Sequence, residues 1–173
     1  MKVKKMALCA LFAALMALCA WISIPVGDVA YTLQSMAVAL ALLLLGGKLG
    51  TVSVVLYLLL GAVGLPVFSG FRGGLGALFG PTGGYLVGFA LWALAYWGMT
   101  ALLPGGKWMP LVALAAGVVC CYAFGSFWYS RLYMDGSALA FVIMKCVVPY
   151  LVPDGIKIGI AWILHRRLRR FVY

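Results

Sequence analysis

The sequence predicts an all-α polytopic membrane protein with six transmembrane helices, and three observations favour that fold class. The chain is 66% hydrophobic and only 9% charged, with a mean hydropathy of +1.15, whereas roughly a quarter of the residues in soluble domains are charged. Apolar runs close to the length of a membrane helix recur along nearly the whole chain. These runs are continuously apolar rather than alternating, which argues against a closed barrel. We therefore expect residues 1–173 to form a single integral membrane domain.

The six spans are separated by glycine, proline and charged residues. Pro25 ends the first span, Gly46 and Gly47 separate the second from the third, and Pro81 suits the first turn of the fourth. The second span is short, so we expect it to be tilted or partly buried. The predicted spans are residues 6–24, 32–45, 49–63, 82–103, 109–128 and 137–164.

A glycine-rich segment, residues 68–84, lies between the third and fourth spans. It is too apolar for a flexible linker and too rich in glycine for a continuous helix. Irregular backbone at membrane depth persists only where it is buried in protein or lines a cavity. The segment is therefore predicted to be a re-entrant or pocket-lining loop. Three of its glycines and the next one along recur every fourth residue, which favours close helix packing or ligand lining: Gly76, Gly80, Gly84 and Gly88.

The net charge of +10 has the distribution of a membrane protein rather than of a nucleic-acid-binding protein. With the N-terminus inside, Arg72 and Arg131 lie outside and nine basic residues lie on the cytoplasmic side, which is a clear positive-inside bias. Both termini are thus predicted to be cytoplasmic. The nine residues are Lys2, Lys4, Lys5, Lys48, Lys107, Arg166, Arg167, Arg169 and Arg170.

Asp154 and Lys157 place an acid and a base three residues apart inside the last apolar run. On a helix they share a face, and Pro153 suggests that the helix restarts beside them. A charge at bilayer depth costs a few kcal/mol, which either an internal ion pair or a bound polar ligand could offset. A carboxylate accepts N–H bonds and an ammonium donates to a carbonyl, so the pair suits an amide- or urea-like ligand.

Arg72 and a stripe of alanines on the first span each have two interpretations. Arg72 either extends towards the outer headgroups or holds an anionic ligand at the pocket mouth. Small residues at this spacing favour close helix contact in lipid, either within the bundle or with a partner membrane protein. The stripe consists of Ala10, Ala13, Ala14 and Ala17.

Enzyme, metal and nucleotide sites are not expected. There is no Walker A lysine, paired-carboxylate site, HExxH or GxSxG pattern. The five cysteines lie in apolar runs without CxxC spacing, so we expect buried apolar side chains rather than metal ligands or disulfides. His165 is interpreted as an interfacial residue, and Gln34 as part of the cap that opens the second span.

Several motifs together resemble one family. They are residues 31–34 (Tyr-Thr-Leu-Gln), 61–68, 73–76, 80–85 (Gly-Pro-Thr-Gly-Gly-Tyr) and 153–157 (Pro-Asp-Gly-Ile-Lys). In this order they resemble the BioY family, the substrate-binding (S) components of energy-coupling factor (ECF) biotin transporters. The resemblance extends over about residues 6–164.

The resemblance implies a six-helix membrane protein in a bacterial or archaeal cell membrane, with a biotin pocket near the outer side and no cofactor. It also implies a transmembrane coupling protein and two ABC ATPases as partners. By this likeness Asp154 and Lys157 contact the bicyclic head of biotin, whose ureido ring has two N–H donors and a carbonyl. Arg72, Gln34 and Tyr85 are further candidates for substrate binding.

The resemblance also implies a partner surface on the first span. By the same resemblance, Ala10 and Ala14 form the docking surface for the coupling protein. An S component for another vitamin and a self-sufficient biotin carrier remain as alternatives.

Overall fold

The structure, a computed structural model, describes residues 2–24, 30–103, 105–134 and 139–172. Within these ranges the chain forms seven α-helices and one short antiparallel ribbon. The helices are α1 (Lys2–Trp21), α2 (Gln34–Ala62), α3 (Leu75–Leu78), α4 (Gly83–Leu102), α5 (Met109–Tyr133), α6 (Leu139–Cys146) and α7 (Val148–Val172). The ribbon pairs β1 (Ser23–Ile24) with β2 (Tyr31–Thr32), placing Ser23 opposite Thr32.

The architecture is a bundle of apolar helices, as the composition predicts. Four of the described helices, α1, α2, α4 and α5, are long and apolar enough to cross a membrane. The pair α6 and α7 passes the same test as one span bent by 45°. The predicted class, a multi-pass all-α membrane protein, is therefore confirmed.

Helix α2 is a hairpin of two helical segments rather than one straight helix. Gly46 has φ 76° and ψ 173°, a left-handed conformation that glycine adopts without steric cost. The Gln34 amide donates to the Tyr57 hydroxyl at 2.7 Å, although these residues would lie about 35 Å apart on a straight helix. The chain must therefore reverse at Gly46. The two segments match the positions of the second and third predicted spans, while the total of six crossings stays a prediction.

The last predicted span differs from the structure, because it contains a break. The break lies at Val147, between α6 and α7, and the expected helix restart at Pro153 is wrong because α7 runs through that residue. Pro149 explains the position of the break: it has no N–H to continue α6 but fits the first turn of α7.

Pro153 leaves one backbone carbonyl of α7 without its usual helical donor. It cannot donate to the carbonyl of Pro149 four residues earlier. The Tyr31 hydroxyl donates to that carbonyl instead, at 3.2 Å, and the Tyr31 ring stacks on Tyr150 with centroids 4.3 Å apart. The loop before α2 is thereby attached to the start of α7.

Of the four glycines that recur every fourth residue, two lie at a helix contact and two line a cavity. A Cβ atom on Gly84 would lie 2.3 Å from the Trp128 Cβ, and one on Gly88 would lie 2.8 Å from the Cys121 Sγ. These two glycines therefore allow α4 to pack closely against α5. Gly76 and Gly80 line a cavity instead.

The helix ends that carry most of the basic residues lie at one end of the bundle. The Cys9 thiol of α1 donates to the Leu49 carbonyl, and Gly47 contacts Trp97 near the end of α4. Helix α7 runs in the same direction as the first segment of α2. Ser35, near the start of α2, contacts Asp154, and Ala161 and Leu164 further along α7 pack in the same buried cluster as the rest of that segment. The start of α1, the Gly46 turn, the end of α4 and the end of α7 are therefore neighbours.

Candidate functional site

Asp154 lies at the centre of a hydrogen-bonded cluster that joins three helices. Lys157 Nζ lies 2.8 Å from Asp154 Oδ1, and the Ser35 hydroxyl of α2 donates to the same oxygen at 2.9 Å. The Tyr122 hydroxyl of α5 donates to Oδ2 at 2.5 Å. The Asp154 and Lys157 side chains are only 13% and 12% exposed. A mostly buried pair of this kind is tolerated when hydrogen bonds accompany the ion pair, and here Ser35 of α2 and Tyr122 of α5 donate two of them to the Asp154 carboxylate.

Asp154 and Lys157 are not fully enclosed by neighbouring side chains, because a cavity lies beside them. A small cavity of about 70 Å³ is lined by both Asp154 and Lys157. A larger cavity of about 490 Å³ lies beside it and is lined by the glycine-rich segment and by α4. The two share four lining residues and so form adjoining compartments: Ala30, Thr32, Tyr85 and Phe89. The larger one falls in the range of about 300–1,000 Å³ that is usual for ligand pockets.

Arg72 lines the larger cavity from an exposed loop. The backbone N–H of Phe68 donates to the Arg72 carbonyl at 2.9 Å, which closes a tight turn through Gly70 at φ 69°. Phe71 also has a positive φ of 57°, which is rare for a bulky residue. Its ring stacks on Trp21 of α1 with centroids 5.0 Å apart. The loop is thus fixed to α1, and Arg72 forms no ion pair with a described residue.

Gln34 and Tyr85 are buried and line the larger cavity. The Gln34 amide is held by Tyr57, whose hydroxyl donates in turn to the Val67 carbonyl at 3.1 Å. Tyr85 lines both compartments, with its hydroxyl 3.4 Å from Ser126 Oγ. The structure therefore brings all five predicted substrate-binding residues to the two compartments: Asp154, Lys157, Arg72, Gln34 and Tyr85.

The sequence did not identify Ser35 and Tyr122, which hold the Asp154 carboxylate. Ser35 is a polar residue near the start of an apolar run, and that is a weak signal for a buried role. Tyr122 gives no such signal, since an aromatic residue in an apolar helix is ordinary. Only the tertiary fold, which packs α2 against α7 and brings the Tyr122 side chain of α5 to Asp154, assigns these two residues to the site.

The alanine stripe of α1 is divided between two faces. Ala13 and Ala17 are 1% and 7% exposed and pack inside the bundle. Ala10 and Ala14 are exposed. Within the described part of the chain, a patch of small side chains is therefore available on the outside of α1.

The cysteines are free thiols, and one of them differs from expectation. Four are buried, as predicted, but Cys120 is exposed. Cys120 precedes the buried Cys121 by one residue on α5, which turns its side chain by about 100° around the helix axis. No group of three or more His, Cys, Asp or Glu side chains in the described ranges could hold a metal ion.

Comparison with known proteins gives the family. The sequence model described as the BioY family matches residues 1–173. The chain belongs to the BioY family. Among its relatives, the probable biotin transporter BioY of Pyrococcus horikoshii is 41% identical over 169 residues, covering 98% of each chain. The biotin transporter BioY of Thermotoga maritima is 41% identical over 160 residues, covering 92% of each chain.

Solved structures agree with this BioY assignment. The S-component for biotin from an ECF-type ABC transporter has a TM-score of 0.85 and 29% identity, covering 98% of this chain and 92% of that one. The S component of a bacterial ECF transporter has a TM-score of 0.68 and 14% identity over 99% of each chain, which shows a shared fold. The bundle of this BioY chain is therefore an S-component fold.

Proposed function

We propose that this chain is the biotin-binding S component of an ECF-type importer. The observation that carries the proposal is the buried Asp154–Lys157 pair, which opens on a cavity that also reaches an arginine. A relative of known structure is named the S-component for biotin, and curated relatives are named biotin transporters. The ligand would occupy both compartments, with its ring system at Asp154 and its carboxylate towards Arg72.

The ureido ring of biotin fits the hydrogen bonds that remain open at the pair. An ionised carboxylate has about four acceptor sites, and Asp154 uses three of them for Ser35, Tyr122 and Lys157. One site remains for a ureido N–H. Lys157 has further ammonium hydrogens, which can donate to the ureido carbonyl. Asp154 and Lys157 would thus recognise a donor and an acceptor on the same ring.

The carboxylate of biotin would be held by Arg72. A guanidinium pairs with a carboxylate through two parallel hydrogen bonds, and Arg72 lines the larger compartment without an internal ion-pair partner among the described residues. Because Arg72 is exposed, solvent would screen this contact and its contribution would be smaller than that of the buried pair.

Orientation follows from the charge distribution. If the end of the bundle that carries the terminal basic residues faces the cytoplasm, the Arg72 loop and the larger cavity face outside. Biotin would then enter from outside, as an importer requires, and both termini would be cytoplasmic.

Energy for release would come from partners, which we propose to be a transmembrane coupling protein and two ABC ATPases. The exposed Ala10 and Ala14 allow another membrane helix to approach closely. Ala14→Leu should abolish uptake in cells that contain the coupling module while purified protein still binds biotin. Ala101→Leu, a matched change at an exposed position of α4, should leave both properties unchanged.

The binding proposal is tested by titrating biotin into the purified protein by calorimetry. Wild type should bind tightly, Asp154→Asn and Lys157→Met should lose binding, and Lys107→Met at the opposite end should not. Wild-type affinity in both pocket variants would remove the site assignment. Displacement of biotin by thiamine or riboflavin would favour a different vitamin, and proton-driven uptake by the protein alone in liposomes would favour a self-sufficient carrier.

A further inference from the structure

The C-terminal part of α7 carries positive charges that the described protein does not neutralise. Arg166, Arg167 and Arg169 are exposed. Asp154 is the single acidic residue in the described ranges; it is paired with Lys157 and lies about 18 Å along the helix from Arg166. The neighbouring helix ends add Lys48 and Lys107 rather than acids. The counter-charge for these arginines must therefore come from outside the described protein.

Two of these arginines line a groove on α7 together with two apolar side chains. The groove, of about 350 Å³, is lined by Trp162, Ile163, Arg166 and Arg167. Each apolar residue precedes an arginine by four positions, so the two kinds of side chain lie one turn apart on the same face. The Trp162 ring stacks on His165 with centroids 5.7 Å apart, and the Ile163 side chain is 55% exposed.

We propose that this groove binds the phosphate headgroup of an anionic phospholipid. Arg166 and Arg167 would hold the phosphate oxygens, because a guanidinium presents a fork of donors that matches them. Trp162 and Ile163 would contact the glycerol and the first acyl carbons, one turn deeper along α7. Tryptophan is enriched at this depth of membrane proteins.

The groove favours a lipid over the other sources of negative charge. A free phosphate ion would use the two arginines but would leave Ile163 exposed to water. A lipid uses the basic and the apolar side at once. Binding would also fix the end of the helix that carries Asp154 and Lys157, although the proposal does not depend on what those residues bind.

The test compares two variants that each lose two positive charges from the same end of the bundle. R166Q/R167Q changes the groove, while K48Q/K107Q changes neighbouring exposed lysines that do not line it. Full-length protein in detergent is titrated with phosphatidylglycerol or phosphatidylcholine, and native mass spectrometry counts the bound lipids. A third variant, R166K/R167K, keeps the charge but removes the guanidinium forks.

Wild type should bind phosphatidylglycerol selectively, and R166Q/R167Q should bind it about thirtyfold more weakly than wild type, since two basic side chains at a headgroup contribute about 1 kcal/mol each. K48Q/K107Q should bind it much more tightly than R166Q/R167Q, because Lys48 and Lys107 do not line the groove. R166K/R167K should lie in between. An unchanged unfolding midpoint in detergent would verify that every variant folds.

Three results would overturn the proposal. Equal weakening in R166Q/R167Q and K48Q/K107Q would mean diffuse attraction without a site. Displacement of the lipid by equimolar inorganic phosphate would mean a simple anion site. Normal lipid binding by R166Q/R167Q, with loss of co-purification with the coupling protein, would assign the groove to that partner.

Discussion

The two ends of α7 use charge in opposite ways. Near its start, Asp154 and Lys157 are mostly buried, their charges neutralise each other, and hydroxyls of α2 and α5 donate to the Asp154 carboxylate. Near its end, Arg166 and Arg167 are exposed and have no acid beside them in the described structure. One helix therefore contains a charge pair that depends on tertiary packing and a charge cluster that depends on its surroundings.

This difference shows what each end can do. Buried charges held by several partners are fixed in position, which a site that recognises hydrogen-bonding groups requires. Exposed arginines remain free to adapt to headgroups or to a partner. Substitutions at the two ends should consequently differ in size and kind. Four variants around the site, with Arg167→Met as the control at the other end, test this from the largest effect to the smallest.

Lys157→Met should produce the largest effect, because it leaves the Asp154 carboxylate buried without its counter-charge. Breaking a buried pair from one side costs about 3–5 kcal/mol of stability, and biotin affinity should fall about 100-fold or more. The apparent unfolding midpoint in detergent and calorimetric titration would measure the two losses.

The control for this variant lies on the same helix. Arg167→Met removes an exposed charge and should change stability by no more than about 0.5 kcal/mol. The double variant Asp154→Asn/Lys157→Met removes both charges and should unfold at a higher temperature than Lys157→Met alone. Equal destabilisation by Lys157→Met and Arg167→Met would contradict the contrast between the two ends.

Tyr122→Phe should give the second largest effect, since it removes one hydrogen bond to the Asp154 carboxylate without changing the shape of the site. A hydrogen bond to a charged group contributes about 1.5–3 kcal/mol, so biotin affinity should fall by about one order of magnitude. Tyr133→Phe is the matched control on α5, because that hydroxyl donates to the Phe79 carbonyl at an exposed position. If both variants bound biotin like wild type, Tyr122 would have no role in the site.

Much of this fold could be predicted because it depends on local features of the chain. Continuous apolar runs define the helices, and adjacent glycines at Gly46 mark the point where α2 reverses. The Asp154–Lys157 pair was visible because charges are rare in apolar runs. The family motifs then added Arg72, Gln34 and Tyr85, which the structure places around the cavities.

The remaining features depend on contacts between residues far apart in sequence. Tyr122 lies 32 positions from Asp154, and Ser35 lies 119 positions away. Neither residue type carries a pattern that links it to an acid elsewhere. The restart of the last span was expected at Pro153 but follows Val147, because Pro149 disfavours a helix interior as much as Pro153 does. A hydroxyl from Tyr31 contacts the carbonyl that Pro153 leaves open, which no local pattern encodes.

Arg72→Gln should give a smaller effect, because Arg72 is exposed and its contact with an anionic ligand would be screened. We expect biotin affinity to fall by about fivefold, which is about 1 kcal/mol and less than the 1.5–3 kcal/mol of an unscreened hydrogen bond to a charged group. Biotin amide, which lacks the negative charge, should bind wild type and Arg72→Gln equally. If Arg72→Gln weakened biotin and biotin amide to the same extent, Arg72 would not be the carboxylate partner.

Tyr31→Phe should give the smallest effect on affinity, since Tyr31 attaches a loop and does not contact the pair. The variant loses the hydrogen bond to the Pro149 carbonyl but keeps the ring that stacks on Tyr150. A net loss of about 1 kcal/mol in loop attachment should speed biotin release severalfold and increase amide exchange in residues 30–33.

Pro153→Ala supplies the matched test, because the new N–H can donate to the Pro149 carbonyl and compete with Tyr31. Adding Tyr31→Phe to Pro153→Ala should therefore change the release rate less than Tyr31→Phe does alone. Additive effects in the double variant would mean that the hydroxyl and the proline act independently, and the attachment of the loop to α7 would then rest on the stacked rings.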